Sequence, residues 1–503
     1  MGKSVKKAPK SSGKKRFSIE NDTFFDNDKK RRRNFEDDNI ESSDEDEYGE
    51  VNGGEEVEEE EVETAAEVRK RIAEAHLEKL RRIKDEQDKG EEGSDEDEER
   101  EREREGERDT WVANVLQQEQ LEDSGRVRRL IASRVQKPEI TEGFRVLVKH
   151  RQSVTAVALS EDDLKGFSAS KDGTIVQWDI ESGKSEKYKW PSDEVLKSHG
   201  LKDPQGRAVK HSKHVLALAV SSDGRYLATG GLDRHIHLWD TRSREHIQAF
   251  TGHKGPVSCL TFRQGTSELF SGSFDRTIKV WNADDRAYIT TLFGHQSEVL
   301  TIDCLRKERI LTVGRDRTMH LWKVPEESQL IYRASASSLE CCCFISNDEF
   351  LSGSDDGSIE QWSVLRKKPV HIIKNAHALQ TLDRLEHTED KRLSNGHKEN
   401  GINENPCMSA HSWVGSVAVC RNSDLASSGA GNGSIRLWEI ERESKGLRPL
   451  FELPLDGFIN SLAFAKSGKF LVAAVGQEPR LGRWGRVSTA RNGVALHSLQ
   501  LSD

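Results

Sequence analysis

Apolar and polar residues alternate in short runs along the C-terminal two thirds of the chain, and the same arrangement of runs recurs. In one copy, the runs 257–262, 269–273 and 277–281 are separated by Gly and Asp residues. Alternation with a period of two predicts strands with one buried face, and the Gly and Asp residues predict tight turns between them. This part of the chain is therefore predicted to be all-β.

A tryptophan closes each copy of this pattern, and the distances between the tryptophans define a repeat. The seven residues are Trp178, Trp239, Trp281, Trp322, Trp362, Trp438 and Trp484. Four of the gaps are 40 to 46 residues long, and two longer gaps mark polar insertions at about 183–210 and 377–409. Seven such units predict an array of seven similar β-rich repeats, because neighbouring repeats cover apolar faces that one repeat cannot bury alone. The insertions are predicted to be mobile loops with at most a short helix.

Each of the first four copies also contains a histidine, a serine or threonine, and an aspartate at matching distances before its tryptophan. The four sets are His150, Ser168, Asp172 and Trp178; His211, Thr229, Asp233 and Trp239; His253, Ser271, Asp275 and Trp281; and His295, Thr312, Asp316 and Trp322. Hydrogen bonds within a set would give each buried polar group a partner and avoid a cost of about 1–3 kcal/mol per group. We interpret the sets as structural, because a catalytic site occurs once, whereas these recur with the fold.

The recurring sets resemble the structural tetrad of WD40 repeats, and the resemblance implies a seven-bladed β-propeller over residues 141–503. The later copies depart from the pattern. The sixth has His411 slightly out of register, and the last has Gln477 at the turn and no matching histidine. Closure of the ring leaves two alternatives, because either 144–148 or 494–499 could supply the outer strand of the last blade.

The first 140 residues differ from the rest in charge and composition. They contain 29 Lys and Arg against 42 Asp and Glu, whereas the remaining chain contains 48 against 45. Residues 1–62 consist of blocks of like charge and are predicted to be disordered, and their basic clusters indicate nuclear import. Residues 63–140 are predicted to form a charged extension with helices at about 63–86 and 110–134. These helices could pack against the propeller or dock on a partner.

Several classes of protein are disfavoured by what the sequence lacks. It has no run of eighteen apolar residues and no apolar signal region, so we expect no membrane association. Its seven cysteines lack paired spacing, which suits a reducing compartment, and Cys341, Cys342 and Cys343 are predicted to alternate along one strand. No P-loop, HExxH or zinc-spaced CxxC pattern occurs. The sequence therefore predicts no enzymatic activity, no metal and no cofactor, and favours a function in recognition.

Three further features narrow the family. They are the capped, Arg-rich helix from Glu63 to Arg82, the sequence GSFDRTIKVWN at 272–282, and PRLGRW at 479–484, which we assign to the strand of the seventh blade. Together they resemble the U3 small nucleolar RNA-interacting WD40 proteins, from about residue 63 to the C-terminus. The resemblance implies a nucleolar protein that binds U3 RNA beside a kink-turn-binding protein, in the U3 ribonucleoprotein that guides processing of the small-subunit ribosomal RNA precursor.

RNA binding requires cations placed against phosphates, and the predicted turns of one propeller face supply them. The candidates are Arg151, Lys171, Lys254 and Arg315 on the turn face, and Arg480, Arg483 and Arg486 in the seventh blade. A further basic surface is the helix face with Arg69, Arg71, Arg81 and Arg82. Arg234, Arg276 and Arg317 follow a turn aspartate, and an Asp-Arg pair is common in such turns.

The sequence also contains features of two other functions. The residues Trp239 to Arg242 fit the WDxR pattern of substrate receptors for cullin-type ubiquitin ligases. That pattern is weak, because Trp-Asp ends many repeats by default. A chromatin-binding propeller is the third alternative.

Overall fold

The structure is a computed structural model, and its described residues are those of the propeller and parts of the N-terminal extension. They are 78, 81–82, 109–118, 120–121, 127–137, 143–201, 213–334, 338–377, 413–441 and 446–502. The predicted disordered tail 1–62, the basic residues Arg69 and Arg71, and most of the helix predicted at 63–86 lie outside these ranges. Residues 78 and 81–82 are helical, in agreement with the prediction there.

Seven four-stranded antiparallel sheets form the seven predicted blades. Strand β1 (Arg145–Lys149) belongs to the last blade. Blade 1 contains β2 (Val154–Leu159), β3 (Lys165–Ser170), β4 (Ile175–Asp179) and β5 (Ser185–Lys187). Blade 2 contains β6 (Val215–Val220), β7 (Tyr226–Gly231), β8 (Ile236–Asp240) and β9 (His246–Phe250). Blade 3 contains β10 (Val257–Phe262), β11 (Glu268–Ser273), β12 (Thr277–Asn282) and β13 (Ala287–Phe293).

The remaining blades continue in chain order. Blade 4 contains β14 (Val299–Cys304), β15 (Arg309–Gly314), β16 (Thr318–Lys323) and β17 (Ser328–Arg333). Blade 5 contains β18 (Leu339–Ser346), β19 (Glu349–Ser354), β20 (Ile359–Ser363) and β21 (His371–Ile373). Blade 6 contains β22 (Val414–Val419), β23 (Leu425–Ala430), β24 (Ser434–Ile440) and β25 (Leu447–Pro454). Blade 7 contains β26 (Phe458–Phe464), β27 (Phe470–Gly476), β28 (Gly493–Ser498) and β1.

Apolar side chains from neighbouring blades share each core cluster, which is why alternation along the strands predicted the fold. Val257 and Leu260 of blade 3 pack with Ala228 and Leu238 of blade 2. Burial of apolar area stabilises such contacts by about 25 cal/mol per Å². The consecutive Cys341 and Cys342 of β18 face different clusters, one shared with blade 6 and one with blade 4. They are small strand residues, as the sequence predicts.

Both segments that the sequence offered for closure are used, in different positions. Strand β28 is the third strand of blade 7, and β1 pairs with it as the outer strand, with Val146 opposite Ala495. The assumption that they compete for one position is therefore wrong. Strand β1, which precedes blade 1 in the chain, thus completes blade 7. One sheet therefore joins the beginning and the end of the propeller.

The assignment of PRLGRW to a strand is also wrong. Residues 477–492 form a loop between β27 and β28, which we call the seventh-blade loop. Trp484 lies in this loop and is 64% exposed, unlike the six buried tryptophans of the other blades. The sequence carried a warning, because Ala474 occupies the position ten residues earlier where each other copy has Ser or Thr.

The first insertion is more ordered than predicted. Residues 183–201 contain β5 and a short helix, Asp193–Ser198, capped by the side chain of Ser192. Tyr188 and Leu196 are buried, and the Trp190 ring packs edge-on against Trp239 at 4.9 Å between centroids. These aromatic side chains anchor the segment against blade 2. Residues 202–212, and 378–412 of the second insertion, lie outside the described residues.

The extension before the propeller packs partly on the propeller itself. A helix covers 109–118, and residues 127–137, which we call the N-terminal clasp, are irregular rather than helical as predicted. Ile131 of the clasp is buried among blades 6 and 7, and its backbone N–H donates to Asp424 Oδ1 at 2.8 Å. Leu130, which lies within the range predicted to be helical, is 56% exposed. Of the two roles that the sequence left open, packing on the propeller holds for this segment.

The antiparallel topology divides the turns between two faces. The turns between second and third strands, together with the connections between blades, lie at one end, which we call the upper face. The remaining turns form the lower face, and the clasp lies there, because Asp424 belongs to the turn between β22 and β23.

Among the described residues, no helix has the length and apolar content needed to cross a membrane.

Candidate nucleic-acid interface

The predicted tetrads are complete in blades 3 and 4. His253 Nδ1 lies 2.9 Å from Asp275 Oδ2, and its Nε2 lies 2.8 Å from Ser271 Oγ, which accepts from Trp281 Nε1 at 2.9 Å. Asp275 Oδ2 also accepts from the backbone N–H of Lys254 at 2.8 Å. Burial alone would raise the pKa of Asp275, but these hydrogen bonds hold it below its ordinary value.

The blade 4 set has the same arrangement. His295 Nδ1 contacts Asp316 Oδ2 at 3.0 Å, and its Nε2 contacts Thr312 Oγ1 at 2.9 Å. Trp322 Nε1 donates to the same Thr312 oxygen at 2.9 Å. The aspartates therefore fix the inter-blade connections of the upper face to the turns beside them.

Blade 1 is an exception to the predicted network. His150 Nε2 contacts Ser168 Oγ at 3.0 Å, but Asp172 accepts from Ser170 and Thr174 of its own turn. Within the described residues, neither His150 Nδ1 nor Trp178 Nε1 has a hydrogen-bond partner. Burial lowers the pKa of His150 to about 4, although Asp172 opposes the shift. The blade 1 set is thus only partly formed.

Blade 2 builds its network from a different histidine. His211 lies outside the described residues. The carboxylate of Asp233 is hydrogen-bonded to His237 of β8, with 2.7 Å between Oδ2 and Nε2. Trp239 Nε1 donates to Thr229 Oγ1 at 3.0 Å, as predicted. His246 extends the network, with its Nε2 3.0 Å from His237 Nδ1.

Blade 6 contains a histidine that the sequence assignment missed. His377 Nε2 contacts Ser428 Oγ at 2.8 Å, and Ser428 accepts from Trp438 Nε1 at 2.8 Å. His411, the residue proposed from spacing, lies outside the described residues. His377 precedes the long insertion and therefore lies 51 residues before Ser428, whereas His253 lies only 18 residues before Ser271. Spacing alone therefore does not identify His377 as the tetrad histidine.

One cluster has the composition of a metal site. Ligand atoms of His295, Asp316 and His320 lie within 4.8 Å of one another. However, His295 and Asp316 bond each other as a tetrad, and His320 contacts Gln329 at 2.7 Å and Thr318 at 3.0 Å. Each of these side chains already has hydrogen-bond partners within the blade. We therefore interpret the cluster as a structural hydrogen-bond network of blade 4 and not as a metal site.

Three of the turn-face candidates occupy the predicted surface. Arg151 and Lys254 lie in connections between blades, and Arg315 lies in the turn between β15 and β16. All three side chains belong to exposed residues on the upper face. Arg234, Arg276 and Arg317 lie in equivalent turns with positive φ of 64° to 69°, where blades 1, 5 and 6 have glycine. Their turn position agrees with the structural interpretation of the Asp-Arg pair.

The fourth turn-face candidate, Lys171, is not exposed. It is 4% exposed, and its Nζ donates to Gly482 O at 2.7 Å and to Glu478 Oε2 at 3.2 Å. Burial lowers the pKa of Lys171, and the bond to Glu478 opposes that shift. Its expected exposed position is therefore wrong, because the seventh-blade loop folds over it. Lys171 anchors this loop to blade 1.

The seventh-blade candidates divide into one inward and two outward residues. Arg480 donates to Ser258 O at 3.2 Å and to Leu300 O at 2.9 Å, on the first strands of blades 3 and 4. The loop thus reaches across the upper end of the ring of first strands. Arg483 is 63% exposed at its side chain and lies 3.5 Å from Glu478, and Arg486 is exposed and donates to Gln477.

A basic groove and a small pocket accompany these residues. The groove has a volume of about 710 Å³ and is lined by Lys254, Arg276, Lys279 and the exposed Phe293. The pocket, which we call the mouth pocket, has a volume of about 210 Å³. Its walls include Glu340, Asp355, Trp413, Phe458, Arg480 and Trp484. No sequence pattern marks Trp413, Phe458 or the two carboxylates as a group, because they meet only when blades 5, 6 and 7 come together.

The fold and the repeat define the class of protein. The model of the WD domain, G-beta repeat, matches 143–179, 204–240, 244–282, 286–323, 327–363 and 404–439. With seven four-stranded sheets in the structure, the chain is a WD40 β-propeller.

Its relatives narrow this class. The chain is 58% identical to U3 snoRNP-associated protein-like EMB2271 of Arabidopsis thaliana, over 97% of both chains. It is 37% identical to human U3 small nucleolar RNA-interacting protein 2, over 87% of this chain and 83% of that protein. The solved structure of U3-55K is 40% identical with a TM-score of 0.61, covering 72% of this chain and 100% of that chain. The chain belongs to the family of U3 small nucleolar RNA-interacting WD40 proteins.

Proposed function

We propose that this protein binds U3 small nucleolar RNA directly through the upper face of its propeller. It would act as a scaffold in the U3 ribonucleoprotein during processing of the small-subunit ribosomal RNA precursor. The observation that carries the proposal is the set of exposed cations on one face, Arg151, Lys254, Arg315, Arg483 and Arg486, in a chain of this family. Cations on a rigid surface release counterions from RNA when they contact phosphates.

The proposal extends to location and partners. Membership of this family supports a nuclear, nucleolar protein whose neighbours are a kink-turn-binding protein and other proteins of the U3 particle and of the small-subunit precursor. The protein would work by binding rather than by catalysis, since its recurring His, Ser and Asp residues are tied into the blades.

The ubiquitin-ligase alternative receives no support from these relatives. In the WDxR sequence, Asp240 Oδ1 accepts from the backbone N–H of Arg242 at 2.7 Å and of Ser243 at 3.3 Å. The aspartate therefore has a local role in closing its turn.

Charge reversal on one face tests the proposal. The test variant replaces Arg151, Lys254 and Arg315 with Glu, and a second variant replaces Arg483 and Arg486. A matched control reverses Arg306, Lys307 and Lys367, which are exposed on the lower face. Lys171 and Arg480 stay unchanged, because both hold the seventh-blade loop.

Binding of purified full-length protein to transcribed U3 RNA is measured across salt concentrations. We expect the upper-face variants to bind more weakly. Their plots of log K against the logarithm of the salt concentration should also be flatter, with the slope reduced by roughly 0.7–0.9 for each lost phosphate contact. The lower-face control should bind as the unmodified protein does. Equal loss in the control, or no loss in either upper-face variant, would refute the assignment of this face.

A further inference from the structure

The mouth pocket combines three aromatic rings with two carboxylates. Trp413 stacks on Phe458 at 5.7 Å between centroids and 10° between planes, and Trp484 meets Trp413 edge-on at 6.0 Å and 61°. Glu340 and Asp355 complete the wall on the blade 5 side. Its volume of about 210 Å³ lies below the roughly 300 Å³ at which typical small-molecule sites begin. The pocket therefore suits a single flat ring better than a large ligand.

Trp484 is exposed and yet held in place. Its ring folds back on the backbone, so that a Cβ added at Gly482 would lie 1.7 Å from Cζ3 of the indole. The carbonyl of the same Gly482 accepts from the buried Lys171, and the Arg480 guanidinium ties the loop to two inner strands. Fixed exposed aromatic rings beside a basic surface are the platforms on which proteins stack unpaired bases.

The carboxylates specify which base fits. Asp355 Oδ1 accepts from the backbone N–H of Ser338 at 3.0 Å, which fixes its orientation. Burial raises the pKa of Glu340, although Arg480 and Arg315 oppose the shift, so a donor brought to this carboxylate would relieve the cost of its desolvation. Among the four bases, guanine presents two adjacent N–H donors, N1–H and the 2-amino group, on its pairing edge. One carboxylate can accept both, as it accepts two donors from an arginine.

The charge around the pocket decides between two kinds of ligand. Aromatic rings with carboxylates can also hold a Lys or Arg side chain. Here, however, Arg480 lines the pocket and Arg483 and Arg486 lie exposed in the same loop. These cations repel a basic peptide and attract the phosphates that flank a nucleotide. The surroundings therefore favour RNA.

We infer that the mouth pocket binds one unpaired guanine of an RNA strand, with the base stacked on Trp484 and its pairing edge on Glu340. This inference rests on the proposed RNA-binding function and adds the base that is read. Arg483 and Arg486 would contact the adjacent phosphates.

The experiment measures binding of full-length protein to the heptanucleotides UUUGUUU, UUUAUUU, UUUCUUU and UUUUUUU by tryptophan fluorescence and by competition. We expect the guanine oligonucleotide to bind roughly ten- to a hundredfold more tightly than the others. Glu340→Gln should abolish that preference, so that the affinity for UUUGUUU becomes equal to that for the other three oligonucleotides. Trp484→Ala should weaken all four by roughly tenfold or more, and Trp484→Phe should restore part of the loss.

Phe293→Ala is the matched control, because Phe293 is 71% exposed on the same face but outside the mouth pocket. It should leave the guanine preference intact. Equal affinities for the four oligonucleotides, or a preference that survives Glu340→Gln, would overturn the inference. So would tight binding of an oligo-arginine peptide that competes at Trp484 and depends on Glu340. If the preference is absent but upper-face charge reversal still abolishes U3 RNA binding, the pocket assignment fails and the proposed function stands.

Discussion

At the scale of single residues, the tetrad aspartates connect the turns of the upper face to the blades. Asp275 accepts from His253, from the backbone N–H of Lys254 and from that of Thr277. Asp275→Ala would leave these donors unpaired and should lower the free energy of unfolding by about 1–3 kcal/mol. Chemical denaturation measures the change. Asp172→Ala is the control, because Asp172 accepts from Ser170 and Thr174 and not from its histidine. This variant should lose less free energy of unfolding than Asp275→Ala. Equal losses in the two variants would contradict the structural role of the tetrad.

A buried histidine should make the stability depend on pH. Burial, with a smaller effect of Arg436, lowers the pKa of His377 to about 3 from its ordinary 6.5. Between these values the unfolded chain binds a proton that the folded chain does not, so the stability contributed by the neutral ring falls as the pH drops below 6.5. One group contributes a slope of up to about 1.4 kcal/mol per pH unit.

Substituting this residue isolates its contribution. The variant His377→Gln should be less stable at pH 7.5, because His377 contacts Ser428 and Ser434 at 2.8 Å and 2.7 Å. Its stability should then decline less steeply than that of the unmodified protein between pH 6.5 and about 4.5. Denaturation curves at each pH give the comparison. Parallel declines would show that His377 does not titrate as its burial implies.

At the scale of elements, the N-terminal clasp adds to the propeller a contact that no repeat contains. Ile131 is 4% exposed between blades 6 and 7, whereas its neighbour Leu130 is 56% exposed. Ile131→Ala should cost about 2–5 kcal/mol if the clasp unfolds with the propeller. Leu130→Ala is the matched control and should be near neutral. Thermal denaturation of both variants distinguishes them, and equal midpoints would mean that the clasp contributes no stability.

The same elements show why sequence patterns predicted the repeats better than the exceptions. Alternation and the recurring tryptophans fix six blades, because each copy carries its own signal. The sequence offered 144–148 for the outer strand of blade 7 but left its place undecided, because the pairing of β1 with β28 joins residues at opposite ends of the propeller. Trp484 was misassigned because its spacing fits the repeat, although Ala474 lacks the hydroxyl that each other copy supplies. The mouth pocket is the product of three blades and could not be found from any one of them.

At the scale of the whole molecule, the basic clusters before residue 35 are separate from the propeller in sequence. Deleting residues 1–34 should slow nuclear entry, because an import receptor binds such clusters as extended peptides. The propeller should keep its melting temperature, since it begins more than a hundred residues later. Time-resolved imaging of the tagged protein measures entry. A normal rate of nucleolar accumulation would show that these clusters are not required for import.

If the proposed function is right, the propeller contacts U3 RNA directly in cells. Ultraviolet cross-linking of the tagged protein, followed by sequencing of the attached RNA and mapping of the cross-linked peptides, tests it most directly. We predict that U3 small nucleolar RNA dominates the recovered RNA and that cross-links fall in the seventh-blade loop and the upper-face connections near Arg151 and Lys254. Recovery of U3 RNA only through other proteins, with no cross-link on the upper face, would contradict the account.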